Sequence, residues 1–315
     1  MKAKLAAGAL ALAVGLGMAP AVTPPISIKA LIARPHPKGA IRIAYGAAPA
    51  QFVELWLPAG PGPHPVVILV HGGCWQAQYG LDLMDWAAED LRSRGVAVWN
   101  IEYRRLGEPG GGYPGTFQEV GQAVDLLRAQ APKYHLKLDP VVAIGHSAGG
   151  HLALWAAARG RLPTSSTLKV KDPLRIAAAI SVGGLGDLET PSDACAGAPT
   201  VRQLIGEPSA ARPQPMADTS PVYLEPFPAR QILVQGTLDK VSPPAFGEAY
   251  RAKARARGGD AEVTVVEGQA HFDMIAPGTT AWDTVIRPLA IGQLRGGRFG
   301  GQGAAARPRP PGPVG

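Results

Sequence analysis

Short apolar runs separated by amphipathic stretches dominate the middle of the chain. Residues 41–45 and 52–57 read as an opening antiparallel pair of strands. Residues 65–70 (PVVILV) are wholly apolar, as a strand covered on both faces must be. Residues 83–94 carry helical spacing, and Gly95 stops them. Residues 96–103 (VAVWNIEY) form the next strand. After the turn-rich GEPGGGYPG, Phe117, Val120, Val124 and Leu127 share one helical face. Asp139-Pro140 leads into a five-residue buried strand at 141–145, followed by a helix over 148–158. Further strands are predicted at 175–182, 231–235 and 261–267, and further helices at 244–257 and 280–294. Strands alternating with helices of this length imply an α/β fold with a mostly parallel central sheet and helices on both faces. Residues 185–225 are irregular except for a short helix near 201–205. That is too long for an idle loop and reads as a small lid or cap segment.

Composition sharpens the two ends. Of 315 residues, 46% are apolar, enough for a large core, while 40 Gly and 32 Pro demand many turns. Residues 1–21 have Lys2 and Lys4, then an uncharged apolar stretch from Leu5 to Met18, then Ala19-Pro20-Ala21. This is the pattern of a secretory signal peptide cleaved near Ala21. It is shorter than the roughly 20 apolar residues of a membrane anchor. The mature protein is therefore expected to be exported, periplasmic or extracellular, without stable membrane insertion. Residues 296–315 hold seven Gly and four Pro and read as a disordered tail. The catalytic domain is expected to span 22–295.

The net charge of +7 changes little. Lys2, Lys4, Arg298, Arg307 and Arg309 lie in the two ends, which leaves +2 for residues 22–295. No basic run with interleaved aromatics remains, so nucleic acid is not an expected partner. Oligomeric state has no signature here.

The chemistry gathers at strand ends. Gly145-His146-Ser147-Ala148-Gly149 matches G-x-S-x-G, directly after a buried strand and directly before a helix. Side chains at Gly145 or Gly149 would clash in so sharp a turn. Ser147 is thus presented at the C-terminal edge of the sheet, above a helix N-terminus that favours a developing anion. His71-Gly72-Gly73-Cys74-Trp75 follows the 65–70 strand. Its glycines let the N–H groups of Gly73 and Cys74, with that of Ala148, form an oxyanion hole. Serine needs a base, and the base needs an orienting acid. His271, after the strand at 261–267, and Asp239, after the strand at 231–235, lie on the same edge in the order Ser, acid, His. Asp187 is the reserve acid. His71 is read as orienting its loop, Asp273 as a local loop residue and His151 as packing. Trp75, Tyr79 and the 185–225 segment are expected to shape the substrate pocket. Cys74 and Cys195 admit two readings: separate free thiols, or a disulfide between the oxyanion loop and that segment, which export permits. No zinc spacing, P-loop or dinucleotide fingerprint occurs, so neither a metal nor a cofactor is expected.

HGGCW, GHSAGGHLALW, GTLDKVSP and GQAHFDM together resemble the α/β-hydrolase superfamily over about residues 40–295. The similarity is to the esterase/lipase branch that includes arylformamidases (kynurenine formamidases) and feruloyl-esterase-like hydrolases, which share an H-G-G-x-W motif. The segment NIEYRR, residues 100–105, is also similar to that branch. The resemblance implies nucleophile Ser147, acid Asp239, base His271 and donors at Gly73, Cys74 and Ala148. Formamidases of tryptophan breakdown are usually intracellular, so the export signal favours a serine carboxylic-ester hydrolase over a formamidase using the same triad. The rival from another class is a non-catalytic binding protein on the same scaffold. Reaction with a fluorophosphonate separates enzyme from binder.

Overall fold

The computed structural model describes residues 24–289. The predicted signal peptide and the Gly/Pro-rich tail lie outside the described residues. Eight strands form one sheet: β1 (Ile41–Ala44), β2 (Phe52–Trp56), β3 (His64–Val70), β4 (Ala97–Ile101), β5 (Leu136–His146), β6 (Ala178–Val182), β7 (Arg230–Gly236) and β8 (Glu262–Val266). Their spatial order is β1-β2-β4-β3-β5-β6-β7-β8. The β1–β2 and β2–β4 pairs are antiparallel and all others parallel. The chain runs outward from β3 to β4, then crosses back so that β5 pairs with β3 on its other side. This reversal leaves a crevice at the carboxyl ends of β3 and β5, where open α/β sheets bind ligands.

The apolar runs are buried because both faces are covered. On one face Val66, Ile68 and Val70 pack with α3 (Gly115–Gln130) and α4 (Ala148–Ala158). On the other, Val67 and Leu69 pack with α2 (Asp85–Ser93) and α8 (Thr280–Ile286), and with Leu31 of α1 (Ile28–Ile32). Alternate residues of one strand thus enter opposite cores, as a period of two requires. A third cluster packs α7 (Pro244–Ala256) on β6 and β7 through Tyr250, Ala179 and Leu233.

Outside the 185–225 segment, three predicted boundaries shift by three residues or more. β5 begins at Leu136 rather than 141, passing through Pro140. The irregularity falls there: pairing jumps from Pro65↔Lys137 to Val67↔Val142. β6 starts at Ala178 rather than 175. The final helix ends at Ile286, followed by a tighter turn over Arg287–Leu289, because Pro288 offers no N–H to continue it. Residues 290–294 lie outside the described residues. The 185–225 segment is more ordered than its sequence pattern foretold. It holds α5 (Gly197–Ile205), α6 (Met216–Thr219) and 3-10 turns at Asp193–Cys195 and Pro221–Leu224. Among the described residues no helix is long and apolar enough to cross a membrane.

Candidate active site

Ser147 sits between β5 and α4 with φ 53° and ψ −121°, a left-handed conformation that a non-glycine residue adopts only at a cost. The flanking glycines explain how the turn closes. A Cβ on Gly145 would stand 2.0 Å from the Gly149 oxygen, and one on Gly149 would stand 2.1 Å from the Val70 oxygen. The Ser147 N–H donates to Val182 O of β6 at 2.9 Å, which locks the turn to the neighbouring strand.

The next residue after Val182 links the serine to the other two predicted members. A Cβ on Gly183 would lie 3.0 Å from Asp239 Oδ2 and 3.1 Å from His271 Nδ1. These two atoms are 2.8 Å apart, with both residues nearly buried. Asp239 Oδ1 accepts the N–H groups of Val241 and Ser242, each at 2.8 Å, so its carboxylate cannot swing. Among the described residues Ser147 Oγ forms no hydrogen bond, so its link to His271 is one of neighbourhood, not of a formed bond. Asp187, the reserve acid, is engaged elsewhere: its Oδ2 takes Lys253 Nζ and Thr190 Oγ1, both at 2.7 Å. Asp273, expected to be a local loop residue, accepts locally from Ala270 N at 2.7 Å but also from Ile26 N, 247 residues away, at 2.8 Å, so it ties the N-terminal segment to this loop.

The loop after β3 lies against the serine. A Cβ on Gly72 would stand 2.8 Å from the Ser147 Cβ. Gly73, Cys74 and Trp75 all have positive φ (105°, 52° and 57°), which turns successive peptide units of this loop. Among the described residues the N–H groups of Gly73, Cys74 and Ala148 have no acceptor. Cys74 is joined to Cys195 by a disulfide with Cα atoms 5.3 Å apart, so the loop is tied covalently to the 185–225 segment.

The BD-FAE family model matches residues 53–253, almost two thirds of the chain. The chain belongs to the BD-FAE family. Its fold is that of the esterase branch of the α/β-hydrolases. Esterase LipC of Mycobacterium tuberculosis is 28% identical over 252 residues, covering 74% of this chain and 60% of LipC. The BD-FAE chain thus spans about three fifths of that curated relative. Esterase B from Lactobacillus rhamnosis HN001 superposes with a TM-score of 0.70 at 21% identity, covering 85% of this chain and 90% of that one. Thermogutta terrifontis esterase 2, phosphoramylated by tabun, superposes with a TM-score of 0.64 at 20% identity, covering 82% and 95%.

Beneath the glycine loop the BD-FAE chain carries a buried polar hub that the sequence left unassigned. Glu102, at the end of β4, accepts from His71 Nε2 at 2.8 Å and from the N–H groups of Tyr103 and Leu81, both at 3.0 Å. Arg105 Nη1 lies 3.3 Å away. Burial alone would raise the Glu102 carboxyl; His71, Arg105 and the Tyr103 N–H outweigh it and hold it below its ordinary value. The other ring nitrogen of His71 bonds Gly72 O at 2.8 Å, and its ring stacks on Tyr103 at 4.4 Å. With both nitrogens engaged and no exposure, His71 fixes the loop, as its sequence position implied. The signal for Glu102 was a lone carboxylate ending an apolar strand.

Of the two rings expected at the pocket, Trp75 is buried while Tyr79 is half-buried. Trp75 is 1% exposed, and its ring packs edge-on against His151 at 5.6 Å inside the core. It braces the loop from below instead of walling an open pocket. Tyr79 packs over Gly73, where a Cβ would meet its own Cβ at 2.4 Å. A cavity of about 590 Å³ lies within the 185–225 segment, lined by Leu188, Val201, Arg202, Ile205 and Met216 among others. A second, of about 650 Å³, is lined by Tyr113, Ser166, Arg212 and Asp218 among others. Neither is lined by Ser147, Trp75 or Tyr79. Among the described residues no cluster of three His, Cys, Asp or Glu side chains is placed to hold a metal ion.

Proposed function

We propose that this protein is an exported serine hydrolase of carboxylic esters, with Ser147 as nucleophile, His271 as base and Asp239 as orienting acid. The observation that carries the reading is the His271–Asp239 pair at 2.8 Å, set against Gly183 beside the strained Ser147 turn. His271 Nε2 takes the Ser147 proton as Oγ attacks the ester carbonyl. Asp239 holds the Nδ1–H and stabilises the imidazolium. The unpaired N–H groups of Gly73 and Cys74, with that of Ala148 at the N-terminus of α4, receive the oxyanion. The alcohol leaves with the proton from His271, and water then cleaves the acyl-enzyme by the same route. The 185–225 segment shapes the substrate side of the crevice, and the substrate is a small ester.

The relatives' esterase names favour an ester over an amide, and adducts such as that of Thermogutta esterase 2 with tabun support reaction with organophosphorus reagents. The second reading, arylformamidase-like hydrolysis by the same residues, is carried by the His71–Trp75 motif. The test is turnover of a short-chain p-nitrophenyl ester and of N-formyl-kynurenine, with labelling by a fluorophosphonate. Ser147→Ala should lose about four orders of magnitude in kcat and all labelling while its melting temperature is kept. An active Ser147→Ala protein refutes the mechanism, and a kcat/KM favouring the formamide selects the second reading.

A further inference from the structure

A second histidine stands beside the proposed base, and the hydrolytic steps make no use of it. His146 precedes Ser147 at the end of β5 and is 1% exposed. Its Nε2 lies 3.0 Å from the carbonyl oxygen of His271, and the two rings are 4.5 Å apart, with Phe272 packed against the same ring at 5.7 Å. A carbonyl only accepts, so Nε2 carries the proton and Nδ1 is a bare acceptor. That Nδ1 is buried without a hydrogen-bond partner. A Cβ on Gly72 would stand 3.0 Å from it, so it faces the glycine loop. Burial first, then His271 and His71, hold His146 well below the ordinary histidine value, so the ring is neutral at neutral pH.

The position in the fold gives this contact its consequence. Ser147 follows β5 and His271 follows β8, with β6 and β7 between them. Aiming the imidazole at the hydroxyl therefore requires two loops from non-adjacent strands to be held in register. His146 spans that gap from the residue next to Ser147. An apolar ring would fill the same space and bury no unpaired lone pair. What histidine adds is the N–H to the His271 backbone. A neutral ring also adds no repulsion when His271 takes up a proton.

We propose that His146 is a positioning residue: its Nε2–H holds the His271 backbone so that the imidazole is aimed at Ser147. The inference rests on the reading of Ser147 and His271 as nucleophile and base. The experiment measures kcat, KM and melting temperature for the full chain and for His146→Phe, His146→Gln and Ser147→Ala on a short-chain p-nitrophenyl ester. His146→Phe keeps a ring and loses the donor, and should lower kcat about tenfold or more with KM nearly unchanged. His146→Gln, whose amide nitrogen reaches the Nε2 position, should recover most of that loss. A His146→Phe protein with wild-type kcat, beside an inactive Ser147→Ala, overturns the positioning role and leaves the hydrolase reading intact. An active Ser147→Ala overturns the hydrolase reading itself. If His146→Phe does not fold, His146→Asn replaces it, because its amide reaches only the Nδ1 position. Equal kcat for the Asn and Gln variants then overturns the proposal.

Discussion

Replacing Cys195 by Ser removes the cross-link between the loop after β3 and the segment after β6. The bridge closes a sequence separation of 121 residues. In the chain-entropy treatment a closed loop of that size restricts the unfolded ensemble by about 5 kcal/mol at 25 °C, and native disulfides typically deliver about 2–5 kcal/mol. For a folded unit of this size each kcal/mol moves the melting temperature by about 2–4 °C, so the variant should melt about 4–20 °C lower. Catalysis at 25 °C should suffer much less. The loop keeps Leu106 N to Trp75 O at 2.7 Å, Ala77 N to Leu106 O at 3.0 Å and Gln76 N to Gly73 O at 2.9 Å. The fall in kcat should therefore stay below the roughly hundredfold loss that follows removal of an oxyanion donor. The assay is thermal melting of the wild type with and without reductant beside Cys195→Ser, with alkylation and intact mass on the same samples. Reduced wild type and variant should coincide. Free thiols in the unreduced protein would mean that the bridge does not form. A bridged protein whose melting is unmoved by reduction would refute the entropic argument.

Two further outcomes are expected. Glu102→Gln should cost about 3 kcal/mol of stability by removing the buried carboxylate to which His71 Nε2 donates, while Arg105 keeps its two hydrogen bonds to Glu108. It should also lower kcat/KM about ten- to a hundredfold through a misplaced glycine loop, measured by melting and by ester turnover; a change confined to stability would detach Glu102 from the site. Burial, partly offset by the His36 hydrogen bond, pushes the Asp85 carboxyl up to about 7. The folded state therefore holds this proton more tightly than the unfolded chain, and the stability it contributes is complete below about pH 4 and lost as pH rises through 7. Asp85→Asn should melt with the wild type near pH 4 and above it at pH 8, and a constant gap across that range would contradict the assignment.

The alternation of apolar runs and helices was enough to read the sheet, because parallel strands buried on both faces leave little ambiguity in sequence. The G-x-S-x-G turn was legible for a steric reason, the backbone clashes that any Cβ at Gly145 or Gly149 would make. The placements of Asp239 and His271 followed from chain order on a known sheet edge. What escaped was tertiary. A lone carboxylate ending an apolar strand marks Glu102 in the sequence, but its donors, from the loop after β3 and from Leu81, are not local to it. His146 fills an unspecified position of G-x-S-x-G, and its partner lies 125 residues away. Trp75 was misread for the opposite reason: a large ring beside a reactive loop invites a pocket role, yet the positive φ at Cys74 and Trp75 accompanies a ring packed in the core. In the 185–225 segment only the short helix near 201–205 was legible, found as α5 from Gly197 onward, because Pro and Gly break the apolar period elsewhere.

The covalent tie between Cys74 and Cys195 also bears on how this scaffold can diversify. A segment inserted between two adjacent strands is ordinarily a free cassette, replaceable by any chain that starts and ends at the same two points. Here a third anchor is fixed, so any exchanged cassette must bring a thiol back over the loop after β3. Length changes are cheap within each of the two sub-loops on either side of Cys195 and costly when they move the cysteine itself. Libraries aimed at new acyl or alcohol preferences should therefore vary each side of Cys195 separately and keep the bridge as their common origin.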